Sequence, residues 1–322
     1  MSQAGAQEVI ASVSQYRFKP ADLQIRQRQP GISAFVRVRN GETFLAEAVC
    51  SHLPFFDEIV IVHNQCTDRS PEIAAQLQAR HPDKVRVFHY EDRVLPLGDP
   101  AYAELASQAP ESMANYSNFA LACTRYTVAT KLDDDHIAIP ERVDRVVQAL
   151  RQRGFRLGEE MWCVSGFNLF RDGAGLGVLS ATPLVGNGDH GYFEVSERTH
   201  FRNSARHEVF THRHLQRRYV DVTYLHGKYL KPEFGFGNYD LGRLPDSRFA
   251  RKRAQFEQDH RVEPLSSVLR RYERFPPWPA LAHLMPSKWG IRWKRACSLV
   301  DQARGIDVDL VMEAARRSAG CP

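Results

Sequence analysis

The sequence lacks the features that would place the protein in a membrane or in an oxidising compartment. No uninterrupted apolar run in its 322 residues reaches the roughly 20 that a membrane-spanning helix needs. Its N-terminal stretch has neither the basic start nor the apolar core of a signal peptide. The six cysteines are scattered without a CxxC pair, which favours free thiols over a disulfide framework or a zinc site. We therefore expect a protein of the reducing cytoplasm.

Charge and composition are those expected of a soluble globular protein. The chain is 43% hydrophobic and 25% charged, as in ordinary globular domains. Its net charge is +5, with acids and bases interspersed, and the basic residues form no single recognisable face. This pattern argues against a nucleic-acid partner. It suits a polyanionic substrate or an acidic membrane surface.

Strand and helix patterns alternate along the first half of the chain. Short β-branched runs at 32–38, 57–64 and 84–90 predict buried strands. Helical patterns separate them, and a further helix is predicted from Pro140 to Gly154. This alternation indicates right-handed βαβ units. We expect an α/β fold with a mostly parallel, Rossmann-like central sheet flanked by helices.

Changes of composition divide the chain into three parts. Residues 1–30 are polar and predict a lead-in loop, whereas 31–240 carry the alternating elements. The strand that ends at residue 135 divides this central part into halves, 31–135 and 136–240. Residues 241–322 are Arg-rich and predict a basic, partly helical C-terminal extension.

Three consecutive carboxylates, Asp133, Asp134 and Asp135, end the fourth predicted strand and precede the helix at Pro140. In open α/β sheets, ligands bind at the carboxyl ends of the strands. Asp133 and Asp135 can point the same way and leave open positions for a hard divalent ion. The alternative is a solvated turn whose aspartates cap the following helix.

Four segments in order, "VRNGE", "HNQCTDRS", "NYSNFALA" and "KLDDD", resemble the GT-A-fold glycosyltransferases, particularly glycosyltransferase family 2. The resemblance covers roughly residues 31–230. It implies a GT-A catalytic domain whose first half binds a nucleotide sugar, foremost a UDP-sugar, and whose second half binds the acceptor. The implied reaction transfers the sugar to a hydroxyl of a saccharide or lipid-linked acceptor, as in bacterial surface polysaccharide or glycan synthesis. The implied cofactor is Mn²⁺ or Mg²⁺.

The resemblance also implies which residues contact the donor. They lie on the first two loops, on the elements before the acidic turn, in that turn and near residue 228: Arg37, Arg39, Asn40, Glu42, Asn64, Asp68, Asn118, Arg125, Lys131, Asp134 and Lys228. Gly41 interrupts the usual Asn-Glu of the first loop, and His63 replaces the first Asp of the second. The identity of the nucleotide is therefore left open. Asp68 could equally cap a helix, and Lys131 could balance the acidic triplet.

For catalysis, the resemblance implies that Asp133 and Asp135 hold the metal and that His226 completes the site. An inverting transferase needs a carboxylate that deprotonates the acceptor hydroxyl. Asp189, between glycines in "GNGDHG", matches that base by position, and Glu194 is the second candidate. A turn aspartate without catalytic role is the alternative, in which case a retaining course is open.

Two basic segments have open interpretations. The segment 207–218 offers three histidines, but its arginines favour a solvated basic helix over a zinc site. Near the C-terminus, Trp289 and Trp293 alternate with cations, which fits either packing on the domain or peripheral contact with the inner membrane face. The rival functions are another metal-dependent nucleotidyl or phosphoryl transfer and non-catalytic nucleotide-sugar binding on the same scaffold.

Overall fold

The computed structural model describes residues 10–96, 99–173, 175–188, 190–204, 208–211, 214–239, 241–243, 245–274 and 288–320. The helices in these ranges are α1 (Leu45–His52), α2 (Ser70–Arg80), α3 (Met113–Ala122), α4 (Pro140–Gln152), α5 (Arg248–Gln258), α6 (Leu265–Glu273), α7 (Lys288–Ala303) and α8 (Val308–Ala319). The strands are β1 (Ala11–Val13), β2 (Gln29–Val38), β3 (Glu58–His63), β4 (Val85–Tyr90), β5 (Tyr126–Leu132), β6 (His136–Ala138), β7 (Glu160–Asp172), β8 (Gly175–Leu179), β9 (Leu184–Val185), β10 (Gly191–Glu194), β11 (Phe201–Asn203), β12 (Glu208–Phe210), β13 (Gln216–His226) and β14 (Val262–Glu263).

The first half of the main sheet is parallel. Strands β4, β3, β2 and β5 lie side by side in that order, each parallel to the next. Strand β3 is buried along its whole length because both faces of the sheet are covered. Ile59 and Ile61 pack in the cluster under α1, α2 and α4, whereas Val60 and Val62 pack in the cluster under α3. The expected parallel α/β sheet is confirmed.

The second half of the sheet is mixed. Strand β10 lies antiparallel between β5 and β7, and β13 runs parallel to β7. The three-residue strand β6, which follows the acidic turn, pairs antiparallel with the end of β13. This pairing brings the carboxyl end of β13 beside the carboxyl end of β5, although about 90 residues separate them in the chain.

Helix α4 shows how sequence pattern becomes packing. Pro140 occupies its first turn, where the missing amide costs nothing. Val143, Val146, Val147 and Leu150 form one stripe, and each is at most 4% exposed in the core against the sheet. Burying such a side chain contributes about 1.5–3 kcal/mol, so this stripe alone anchors the helix.

The two ends of the chain add to the sheet. The N-terminal segment, expected as a lead-in loop, contributes the edge strand β1, which pairs in parallel with β4. The C-terminal part is helical as expected: α8 packs on α1, and α7 packs on α6 and β13. None of the five described cysteines is in a disulfide. Among the described helices, none combines the length and apolarity needed to cross a bilayer.

Two local features differ from the expectation. The acidic turn leads first into β6 and only then into α4, because β6 finds a partner in β13. The expected basic helix at 207–218 is instead the strand β12 and the start of β13 in the part that the structure describes, because pairing with β11 and β7 outweighs local helical spacing.

Candidate active site

The acidic turn lies at the carboxyl edge of the parallel strands. Asp133, Asp134 and Asp135 form the link between β5 and β6. Gly41, in the loop after β2, lies directly against this link, and a Cβ at that position would collide with Asp134 Oδ2. The carboxylate therefore leaves no room for a side chain at residue 41. This explains physically why a glycine splits the Asn-Glu pair of the first loop.

Lys231 holds two of the three carboxylates. Its Nζ lies 2.9 Å from both Asp134 oxygens and 2.9 Å from Asp135 Oδ2. All three side chains are at most 14% exposed. Like charges repel strongly in such a poorly solvated place, and the ammonium group offsets that repulsion. Asp135 Oδ1 is left without a hydrogen-bond partner among the described residues.

His226 faces this remaining oxygen. The Nδ2 of Asn168 donates to Thr182 O (2.7 Å), which orients the amide so that Asn168 Oδ1 accepts from His226 Nδ1 (2.6 Å). Burial lowers the pKa of His226 to about 4, so the ring is neutral at neutral pH. The lone pair of Nε2 then points toward Asp135 Oδ1, 3.4 Å away. Two electron-rich atoms that face each other in the protein interior repel, and a cation bound between them would stabilise the arrangement.

Two further histidines complete the cluster. His136 Nε2 lies 3.6 Å from Asp133 Oδ2, and His190 Nε2 lies 4.0 Å from the same oxygen. Two sets of side chains are each close enough to share an ion, with ligand atoms within 4.8 Å of one another: Asp133, His136 and His190, and Asp135, His136 and His226. The residues present therefore fit a divalent metal ion.

The local charges shift the pKa values of the three carboxyl groups in different directions. Burial opposes the ionisation of Asp133, but Lys131 and the neighbouring imidazoles hold its pKa well below its usual range. For Asp135 burial is likewise outweighed, by Lys231 and His226, and its pKa is lowered. Burial raises the pKa of Asp134 to about 6, despite the attraction of Lys231. Asp133 and Asp135 are thus the stronger anions, as metal ligands should be.

A cavity of about 240 Å³ opens beside the acidic turn. It is lined by nine of the residues that the resemblance implied: Arg37, Arg39, Asn64, Lys131, Asp133, Asp134, Asp135, His226 and Lys228. Tyr116, Lys231, Asn238 and Tyr239 contribute further polar groups to the wall. The cavity therefore joins an anionic corner to a wall rich in cations.

Arg37 is held in place in the lining of this cavity. Its guanidinium lies 2.7 Å from one oxygen of Glu208 and donates to the other at 2.9 Å, while Ser117 donates to the same carboxylate. Lys131 lies 3.3 Å from Asp133 and 3.9 Å from Glu208. The proximity to Asp133 fits the interpretation that Lys131 balances the acidic triplet. Glu208 ties the hairpin of β11 and β12 to the cavity.

Asn64 presents an acceptor to the cavity. Its Nδ2 donates to the backbone carbonyls of Tyr90 and Asp92, both at 2.7 Å. These bonds fix the orientation of the amide, and within the described chain Oδ1 has no partner. Since Asn64 is 1% exposed and lines the cavity, this oxygen is an acceptor that a ligand or an ordered water there would satisfy.

Lys228 is a buried cation in the lining of the cavity. Its Nζ lies 4.4 and 4.6 Å from the ring centroids of Phe236 and Tyr239 and donates to the Tyr239 hydroxyl at 3.3 Å. Burial lowers its pKa to about 8. The two aromatic faces hold the ammonium group in place by cation–π attraction.

Three of the expected donor contacts instead build the loops above the cavity. Asn40 Oδ1 accepts from the amide of Thr67, and Glu42 accepts from the amide of Arg69. Asp68 accepts from the amide of Glu42 and caps α2. None of these three side chains lines the cavity, so their described contacts are structural.

The structure places three other expected residues outside the lining of the cavity. Asn118 holds β11, because its side chain pairs with both backbone groups of Phe201 at 2.7 and 2.9 Å. Arg125 pairs with the buried Glu58 at 2.7 Å, before the start of β5. Glu194 accepts from the amides at 157 and 158 at 3.0 and 2.9 Å, at the turn before β7. Each therefore has a structural partner instead of a ligand-facing position.

Asp189, the first candidate for the base, lies outside the described residues, as do His207 and His212 of the histidine-rich segment. Sequence reasoning missed Lys231, Glu208, His136 and His190 as members of the site. The two histidines had a signal, since one follows the acidic triplet directly and the other follows Asp189. Lys231 and Glu208 had none, because only the fold brings them to the turn.

Comparisons with known proteins find only solved structures, and their similarity to the chain is low. No protein-family model and no curated protein matches the chain. Among solved structures, the chain is similar to glucosyl-3-phosphoglycerate synthase from Mycobacterium tuberculosis in complex with Mn²⁺, UDP and phosphoglyceric acid (19% identity, 52% of this chain and 53% of that chain, TM-score 0.27). The same synthase with Mg²⁺ and UDP matches at 17% identity over 49% of this chain and 51% of that chain, with a TM-score of 0.28.

The chain thus spans about half the length of that synthase. It is also similar to S. aureus TarS 1-349, at 15% identity over 89% of this chain and 91% of that chain, with a TM-score of 0.37. TM-scores this low carry no argument for a shared activity. The function must therefore be argued from the site itself.

Proposed function

We propose that this protein is a metal-dependent glycosyltransferase that moves a sugar from a nucleotide-sugar donor to a hydroxyl acceptor. The observation that carries the proposal is the meeting of Asp135 and His226 beside a cavity walled by cations. A positive ion would stabilise the lone pairs of these two residues, which face each other. The cations in the adjacent cavity wall suit a diphosphate. A candidate metal site and a cationic cavity wall are each common alone. When they adjoin at the carboxyl edge of a sheet, they match the binding of a metal ion and a nucleotide diphosphate.

Asp135 and His226 hold the divalent ion in this proposal, with Asp133 as the further carboxylate. A bound Mn²⁺ or Mg²⁺ would supply positive charge that stabilises the departing diphosphate. Lys231 meanwhile neutralises Asp134, so that the corner does not repel the phosphate oxygens.

The chain's own cations orient the donor. Arg39 and Lys228 both line the cavity and can each pair with a phosphate oxygen. Arg37, held by Glu208, contributes fixed positive charge to the same lining. The free carbonyl oxygen of Asn64 gives the nucleoside one hydrogen-bond acceptor, which suits an N–H of uracil and equally of the other bases. We propose a UDP-sugar as the donor on the strength of the family resemblance, and the choice of base is what the nucleotide panel below tests.

Asp189 remains our proposal for the base that draws the proton from the acceptor hydroxyl, which gives inversion. The position of its neighbour His190, 4.0 Å from Asp133, supports this assignment. Glu194 is not carried into the proposal, since two backbone amides already occupy it.

The acceptor is a saccharide or a lipid-linked saccharide in this proposal, and the reaction belongs to bacterial glycan synthesis on the cytoplasmic side. Trp289 is 70% exposed on α7, and the guanidinium of Arg292 lies 5.5 Å from its ring centroid. An exposed aromatic beside a cation supports peripheral contact with anionic lipid. Co-sedimentation with anionic vesicles tests this, and a protein that stays in the supernatant contradicts it.

Thermal unfolding with nucleoside diphosphates tests the function. UDP, GDP, ADP and CDP are each added with and without Mn²⁺ to the wild type, to Asp135→Asn and to the control Asp144→Asn on the exposed side of α4. A ligand at 100 times its Kd stabilises the native state by about 2.7 kcal/mol. We expect UDP to raise the Tm of the wild type and the control only with Mn²⁺, and Asp135→Asn to lose that response. The proposal fails if no nucleotide responds, or if Asp135→Asn responds like the wild type.

A further inference from the structure

The backbone holds His136 next to the candidate metal site formed by Asp135 and His226. It is the first residue of β6 and lies directly opposite His226 in the antiparallel pairing with β13. The ring stacks on Tyr224, with centroids 3.9 Å apart and planes 18° from parallel. Its centroid lies 5.2 Å from that of His226. Strand pairing and stacking together fix where the imidazole edge points.

That edge has an unsatisfied nitrogen. His136 is 2% exposed, and no described residue forms a hydrogen bond with its Nε2. Asp133 Oδ2, at 3.6 Å, is too distant for one. Leaving a buried polar atom unpaired costs about 1–3 kcal/mol, and native structures rarely tolerate it without a missing ion or water.

A purely structural histidine would not need this arrangement. The stack on Tyr224 uses only the ring face, and a Phe at position 136 would make the same contact. The unpaired atoms nearby belong to the same corner, since Asp135 Oδ1 also lacks a hydrogen-bond partner in the described chain. An imidazole nitrogen and a carboxylate oxygen, both buried and both unpaired, indicate one common occupant.

We propose that His136 is an additional protein ligand of the divalent ion held by Asp135 and His226, and that its imidazole makes the site select a transition-metal ion such as Mn²⁺ over Mg²⁺. The inference rests on the metal site of the proposed function. It adds a ligand that the acidic motif alone does not provide. It also narrows the choice of metal.

The choice of metal follows from the ligand atoms that are left. Lys231 occupies Asp134 and one oxygen of Asp135, so the set of Asp135, His136 and His226 offers one carboxylate oxygen and two imidazole nitrogens, to which Asp133 would add one carboxylate. Mg²⁺ prefers an octahedron of oxygens, whereas imidazole suits the first-row transition metals. An Asp-His-His set with open positions is a known geometry for such ions.

Mn²⁺ binding to the chelator-treated protein, without nucleotide, tests the proposal. Electron paramagnetic resonance gives the affinity, and electron spin-echo modulation reports coordinated ¹⁴N. His136→Phe keeps the stack on Tyr224 and removes both nitrogens. The matched control is His63→Phe, because His63 is also buried, stacked on His89 and unpaired at Nε2 among the described residues.

We expect two coordinated imidazoles in the wild type and in His63→Phe. In His136→Phe we expect one imidazole and Mn²⁺ affinity at least about tenfold weaker, since even an outer partner of a ligand contributes that much. Mg²⁺ should displace Mn²⁺ from the wild type only at large excess, and more easily from His136→Phe.

A wild-type spectrum with a single imidazole overturns the proposal without any variant, so a misfolded His136→Phe does not leave it undecided. Unchanged Mn²⁺ affinity in a folded His136→Phe also overturns it. So does displacement of Mn²⁺ from the wild type by an equal concentration of Mg²⁺. If Mn²⁺ binds through His136 but no nucleoside diphosphate shifts the Tm, the proposed function fails and this ligand assignment stands.

Discussion

Lys231→Met removes the cation that two buried carboxylates share. The ammonium group lies 2.9 Å from oxygens of both Asp134 and Asp135, and the three side chains are 7–14% exposed. Exposed ion pairs contribute about 0–1 kcal/mol, but removing one partner of a buried pair costs about 3–5 kcal/mol because the other charge is left uncompensated. The low exposure here selects the second range. We expect the free energy of unfolding to fall by about 3–5 kcal/mol.

The assay is urea unfolding followed by tryptophan fluorescence, in chelator and again in Mn²⁺. Lys84→Met is the matched control, since its ammonium group donates only to the carbonyl of Leu53 at 2.8 Å, a contact that contributes about 0.5–1.5 kcal/mol. Mn²⁺ should stabilise Lys231→Met more than the wild type, because the uncompensated carboxylates become additional ligands. If Lys231→Met loses no more stability than Lys84→Met, Lys231 does not neutralise the acidic turn and the reasoning is refuted.

Two further predictions concern residues outside the cavity. Burial lowers the pKa of His52 from 6.5 to about 4; below pH 6.5 the unfolded chain therefore binds a proton that the folded chain does not. The contribution of this group to stability is complete above pH 6.5, and about 3 kcal/mol of it is lost as the pH falls toward 4. Urea unfolding at each pH should show a smaller loss of stability in His52→Gln than in the wild type. An equal dependence of stability on pH in the two proteins would contradict the assignment. Glu194→Ala should lose about 1–3 kcal/mol of stability, because two backbone amides lose their acceptor. It should keep the Tm shift with UDP and Mn²⁺, and loss of that shift would return Glu194 to the site.

The sheet could be predicted because its signals are local. Short β-branched runs such as 57–64 have few alternatives to a buried strand, and the valine stripe of α4 has the period of a helix. Where local signals conflicted with pairing, pairing prevailed. The histidine-rich segment forms strands in the part that the structure describes, because β11 and β7 satisfy its backbone groups.

The site could be predicted only in part. The acidic triplet was visible as a run of like charges at a strand end, and His226 by its order in the chain. Asn118 and Arg125 show the limit, since proximity in sequence to the acidic strand says nothing about which way a side chain points. Asn118 instead holds β11, and Arg125 pairs with Glu58.

The sequence by itself determined the α/β alternation and the position of the acidic turn at a strand end, and it predicted the chemical class of ligand that we propose for that turn. Those features depend on residue type and spacing within one or two elements. Only the tertiary structure decided that Lys231 neutralises the turn and that His136 lies opposite His226. Those contacts depend on β6 pairing with β13, a register between segments about 90 residues apart that no local pattern encodes.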